Sequence, residues 1–64
     1  MSEQITGASF RERRERTNVG VFRLEKKSGV SAGDISRWER GLMKMGAGRI
    51  EKIDKALKEY EQSA

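Results

Sequence analysis

Lys27-Ser28-Gly29-Val30-Ser31-Ala32-Gly33-Asp34-Ile35-Ser36-Arg37-Trp38-Glu39-Arg40-Gly41 is the stretch that decides how this chain folds. Gly29 is free to take a positive φ, so Ser28-Gly29-Val30 predicts a turn. Ser31-Ala32-Gly33-Asp34 has the spacing of a capping box and predicts a helix start. Asp34 falls in the first turn, where a negative charge complements the helix dipole. Ile35, Trp38 and Leu42 follow at i, i+3 and i+7 and form one apolar stripe. Arg40-Gly41 closes the helix, which is expected over residues 31–40. With the stripe against a core, a rotation of about 100° per residue turns Gly33, Ser36, Arg37 and Arg40 outward, with Ala32 at one flank.

Three more helices are expected on either side. Ser9-Phe10-Arg11-Glu12 has capping-box spacing and predicts a helix over residues 9–16, ended by Thr17-Asn18 because Asn tolerates a left-handed conformation. A second helix covers residues 21–27, entered through Gly20, with Leu24 as its clearest core residue. Residues 42–48 read as a loop. The last helix spans residues 49–61, where Ile50, Ile53, Leu57 and Tyr60 share a stripe and Lys and Glu fill the other face. The chain has no Pro, and its seven Gly punctuate these segments. Residues 1–8 and 62–64 are expected to be flexible, with one domain over residues 9–61.

A chain of 64 residues has room for one small domain of marginal stability. It contains no Cys and no His, so neither a disulfide nor an ordinary zinc site is available to staple it. Well-packed helices, aided by self-association, are what remains. Charged residues outnumber apolar ones, 38% to 34%, yet the apolar positions are periodic, which argues against disorder. The net charge of +4 and a pI near 9.9 suit a polyanionic partner. No run approaches the roughly 18 apolar residues of a membrane span. Residues 1–7 are polar and lack the apolar core of a signal peptide, so no membrane partner and a cytoplasmic location are expected. With no His, no Cys and no phosphate-cradling motif, an enzyme is not expected, nor a cofactor, metal or small-molecule ligand.

The outward face of the residue 31–40 helix is slim at its N-terminal end and cationic further on. An α-helix fits the major groove of B-DNA, where base edges carry a distinct hydrogen-bond code. Gly33 and Ser36 would allow close approach, Ala32 would touch a thymine methyl, and Arg37 would reach a guanine bidentately. Arg40 is placed for a phosphate, as are Arg23 and Lys44. The competing reading is a solvated surface with no ligand. The other cations, Arg11, Arg13, Arg16, Lys26 and Lys27, read as solvated surface charges.

Leu24, then Gly29-Val30-Ser31, then Ile35-Ser36-Arg37-Trp38-Glu39-Arg40-Gly41 resembles the XRE-like family, the Cro and phage-repressor type of helix-turn-helix. Glu51-Lys52-Ile53 with Lys55-Ala56-Leu57 is similar to that family's fourth helix. The resemblance runs from about Phe10 to Leu57. It implies an all-α, compact, lambda-repressor-like bundle of four or five helices containing a helix-turn-helix, with the third helix in the major groove and symmetric dimers on paired half-sites. It implies a structural ion pair between Arg14 and Glu39. It also implies a sequence-specific, double-stranded-DNA-binding transcriptional regulator, a repressor of a phage, plasmid or other mobile element.

The departures from the family pattern are local. Val21 stands where the family carries a polar residue that helps hold DNA. Glu25 takes the place of a small Ala, so either the packing is looser or Glu25 finds a cationic partner. Phe22 stands at a polar position and either folds onto the core beside Val19 or contacts another protein. Gly33 costs helix stability and either permits close approach to DNA or is incidental. Met43, Met45, Leu57 and Tyr60 are the candidates for a dimer surface, core packing being the alternative for Leu57. Two other functions stay open: an excisionase-like or architectural protein that bends DNA, and a protein-binding module that uses the fold without DNA.

Overall fold

Four helices carry the chain in a computed structural model that describes residues 5–63. They are α1 (Gly7–Thr17), α2 (Val21–Ser28), α3 (Ala32–Glu39) and α4 (Ala47–Ser63). The expected flexible ends lie outside the described residues at 1–4 and at 64. Their described parts include helix: Gly7 and Ala8 open α1, and Gln62 and Ser63 end α4.

The first helix starts two residues before Ser9, because the capping box is Thr6 with Ser9 and not Ser9 with Glu12. Ser9 N–H donates to Thr6 Oγ1 at 3.0 Å, and Thr6 N–H donates back to Ser9 Oγ at 3.2 Å. Ser9 supplies the acceptor that Glu or Gln usually supplies at that position. At the other end Asn18 has φ 62°. Val19 N–H reaches Arg14 O at 3.2 Å and Asn18 N–H reaches Glu15 O at 3.1 Å. That is the Schellman arrangement, and it turns Val19 into the core.

One apolar cluster holds the helices together: Phe10, Val19, Leu24, Val30, Ile35, Trp38, Ile53, Ala56 and Leu57. The rings of Phe10 and Trp38 lie 5.4 Å apart and tilted by 50°. Leu57 is fully buried here, so it has no surface to give to a dimer. Tyr60 is half-buried against the cluster, and Lys27 Nζ sits 5.2 Å over its ring. Met45 also packs on the cluster.

Helix α1 buries one apolar side chain, Phe10, and is otherwise held by polar contacts. Arg13, expected to be a solvated charge, donates to Asp54 Oδ1 at 2.7 Å and to both Glu61 oxygens at 3.0 and 3.1 Å. These hydrogen bonds hold its guanidinium above the ordinary arginine range. Lys58 reaches the second Asp54 oxygen at 3.3 Å, so the nearly buried carboxylate is neutralised from two helices. Helices α1 and α2 each pack on α3 and α4, whereas no Cα of α3 comes within 8 Å of α4.

Candidate nucleic-acid interface

Helices α2 and α3 are joined by the three residues Gly29, Val30 and Ser31. Gly29 has φ 81°, where an L side chain would be strained, and its N–H closes α2 on Glu25 O at 2.8 Å. Val30 drops into the core and anchors the turn. The start of α3 differs from expectation. Ser31 is the N-cap residue but its side chain makes no cap bond. Instead Glu25 Oε1 accepts the Ala32 N–H at 3.1 Å. A carboxylate from the preceding helix thus does the work the Ser31–Asp34 spacing suggested, and it places a negative charge at the positive end of α3. Glu25 needs neither loose packing nor a cationic partner.

The buried stripe of α3 is Ala32, Ile35, Trp38 and Glu39. Ala32 stands three residues before Ile35, on the same side, and is 4% exposed. It is therefore part of the packing and has no surface with which to read a base. Leu42 leaves the stripe because Gly41, at φ 75°, turns the chain away; Leu42 is 69% exposed. The outer face of α3 consists of Gly33, Arg37 and Arg40, with Ser36 half-buried between them.

Arg37 folds back along this face. Its Nη1 lies 3.2 Å from Asp34 Oδ1, and an added Cβ at Gly33 would sit 3.5 Å from the same nitrogen. That is ordinary contact, so Gly33→Ala is expected to raise stability by about 1 kcal/mol through helix propensity, read from chemical denaturation. If Gly33 exists to let a duplex come close, the same variant loses duplex affinity while gaining stability. A stability loss would mean that the helix needs glycine for a different reason.

Arg40 is exposed, with Nε 3.4 Å from Ser36 O. Arg23 on α2 and Lys44 after α3 are both exposed. Lys44, Met43 and Met45 line one open depression of about 560 Å³ with Thr6, Gly7, Trp38, Gly41 and Leu42. Arg49, at the start of α4, reaches Asp34 Oδ2 at 3.3 Å and so joins the edge of the α3 face. Nothing in the spacing of the sequence places it there, because it is the long Arg49 side chain, reaching out from a helix that does not pack on α3, that crosses to Asp34.

Behind this face Arg14 grips Glu39. Arg14 Nε and Nη2 donate to the two Glu39 oxygens at 2.8 and 2.9 Å, and Nη1 donates to Val19 O at 3.0 Å. The Glu39 carboxylate raises the Arg14 guanidinium above its ordinary range, against the opposing pull of burial. One side chain thus ties the α1 terminus to the end of α3 and fixes how α3 is presented.

The sequence of the chain has a relative among known proteins. Over 52 residues the chain is 38% identical to the uncharacterized HTH-type transcriptional regulator y4wC of Sinorhizobium fredii (strain NBRC 101917 / NGR234). The chain is similar to a helix-turn-helix regulator. The match takes in 81% of this chain but 36% of that regulator, so the chain spans about a third of its relative's length. No protein-family model matches the chain, and no solved structure matches it significantly.

Among the described residues two large apolar side chains lie outside the core. Phe22, on the first turn of α2, is 75% exposed. It does not fold beside Val19, because Val21 takes the inward position and packs on the cluster. Leu42 is the other. Among the described residues no helix is long and apolar enough to cross a membrane.

Proposed function

We propose that the chain binds double-stranded DNA sequence-specifically and regulates transcription, as a repressor of a phage, plasmid or other mobile element that occupies its operator and blocks polymerase. The observation that carries the reading is the outer face of α3, slim at Gly33 and cationic at Arg37 and Arg40, on a helix whose back is locked by Trp38 and by the Arg14–Glu39 pair. Similarity to a named transcriptional regulator supports it. In this reading α3 enters the major groove, Arg37 and Ser36 meet base edges, and Arg23, Arg40 and Lys44 meet phosphates. Few side chains are left to read bases, so DNA shape contributes to specificity. Two copies bind paired half-sites. With Leu57 buried, the surfaces left for pairing are Met43 with the exposed Leu42, and the half-buried Met45 and Tyr60.

Gel shifts across a salt series test this. Three phosphate contacts release counterions, so log K is expected to fall with log salt at a slope of about −3 per protomer. Arg37→Ala is expected to cost roughly 1–3 kcal/mol at the preferred site and to leave non-specific binding nearly unchanged. A flat salt response contradicts the proposal. The exposure of Phe22 favours a second reading, a module that docks on another protein. Its mark is a chain that binds no duplex at low salt.

A further inference from the structure

Asp34 is the acidic side chain on a face otherwise cationic, and both its oxygens are engaged. Oδ1 takes Arg37 at 3.2 Å and Oδ2 takes Arg49 at 3.3 Å. The two guanidinium groups come from helices whose Cα atoms stay more than 8 Å apart. The carboxylate is therefore the bridge between the start of α3 and the start of α4. Both arginines are more than half exposed, so the bridge lies open to any approaching polyanion.

We propose that Asp34 is a specificity-setting clamp on the DNA-binding face: it holds Arg37 back along α3 and Arg49 beside it, and releases Arg37 only to a base edge that replaces the carboxylate. The proposal rests on the DNA reading above. A phosphate offers Arg37 one anion in exchange for another and brings its own charge against Asp34. A guanine edge offers two neutral acceptors in the plane of the guanidinium, with less repulsion from the carboxylate. The exchange therefore disfavours loose contacts with the backbone more than it disfavours the right base. Arg49 stays on Asp34 Oδ2 and holds the carboxylate at the edge of the face.

Asp34→Asn keeps the shape of the side chain and removes its charge. For this variant, binding to a random-sequence duplex is expected to tighten about fivefold, as removal of one like charge near a phosphate implies. Binding to the selected site is expected to change less, so the ratio between the two narrows. Asp34→Glu keeps the charge and is expected to keep the ratio near that of the parent chain. Arg49→Gln removes the anchor of Asp34 on the α4 side and is expected to narrow the ratio in the same direction as Asp34→Asn, but by less. All three are compared at matched fraction folded by circular dichroism, because Asp34 also supports the α3 dipole.

A helix-capping role alone would lower the melting temperature of Asp34→Asn and leave the binding ratio of the folded protein unchanged; that result overturns the clamp. If the parent chain binds no duplex, the DNA reading falls and the clamp with it. If the parent chain selects a site while Asp34→Asn keeps its full discrimination, only the clamp falls.

Discussion

Arg14→Ala is expected to lower folding stability by about 3 kcal/mol, the lower end of what breaking one side of a buried ion pair costs. The Glu39 side chain is 2% exposed and takes its two short charge-assisted bonds from this arginine. Removing the guanidinium leaves a carboxylate in the interior with no partner and takes from Val19 O the side-chain hydrogen bond that it accepts just past the end of α1. A domain of this length holds in total roughly 3–10 kcal/mol. The variant should therefore melt more than about 10 °C below the parent chain. Arg14→Lys keeps the charge but loses the fork that matches the carboxylate, so an intermediate loss is expected. Replacing both partners with apolar residues of similar volume should recover much of the stability, because the penalty belongs to the orphaned charge. A melting temperature unchanged by Arg14→Ala, with an altered preference among DNA sites, would show that Arg14 serves recognition and not the fold.

Gly7→Ala is the second large effect. Gly7, Phe10 and Arg14 lie at i, i+3 and i+7 on α1 and all face α3. At Gly7 the two backbones meet: a Cβ there would strike the Trp38 carbonyl and come within 2.9 Å of Glu39 Cα. Neither neighbour is a flexible side chain that can swing aside, and Trp38 O also accepts the Gly41 N–H at 3.0 Å. The start of α1 must move off α3, which strains the Phe10–Trp38 ring contact and the Arg14–Glu39 fork together. A loss of about 2–3 kcal/mol is expected, within the range for forcing extra atoms into a packed site. Gly20→Ala is the control. Gly20 has open space around it and an ordinary extended backbone, so denaturation should show only the loss of a poorer N-cap, about 0.5–1 kcal/mol. Equal effects at the two positions would mean that close packing at Gly7 is not what selects glycine.

The same stripe explains what the sequence reveals and what it hides. Helices α2, α3 and α4 announce themselves through apolar spacing, and Gly29 and Gly41 mark where α2 and α3 turn off. Apart from Phe10, helix α1 is held to α3 by a glycine and an arginine, and to α4 by Arg13 on Asp54 and Glu61. None of these contributes to an apolar stripe, so Gly7 reads as tail and Arg13 as surface. Charge partners 41 and 48 residues apart are legible only in space. At α3 the spacing of Ser31 and Asp34 fits a capping box, but Glu25 reaches the free N–H first, which leaves Asp34 to the arginines. Leu42 fits the stripe in number and misses it in space, because the helix ends at Glu39 and Gly41 redirects the chain. On the candidate interface, Gly33, Arg37 and Arg40 follow from helical rotation, and the burial of Ala32 follows from carrying the stripe one turn back from Ile35, whereas the neighbouring Arg49 is legible only in space.

Selection of bound duplexes from a random pool, carried out at low salt with the parent chain and with Arg37→Ala, decides whether α3 reads DNA. The parent chain is expected to enrich one recurring sequence, with a two-fold repeat if two copies pair, and Arg37→Ala is expected to lose discrimination at one position of each half-site. Recovery of no duplex at all by the parent chain would contradict DNA recognition through α3.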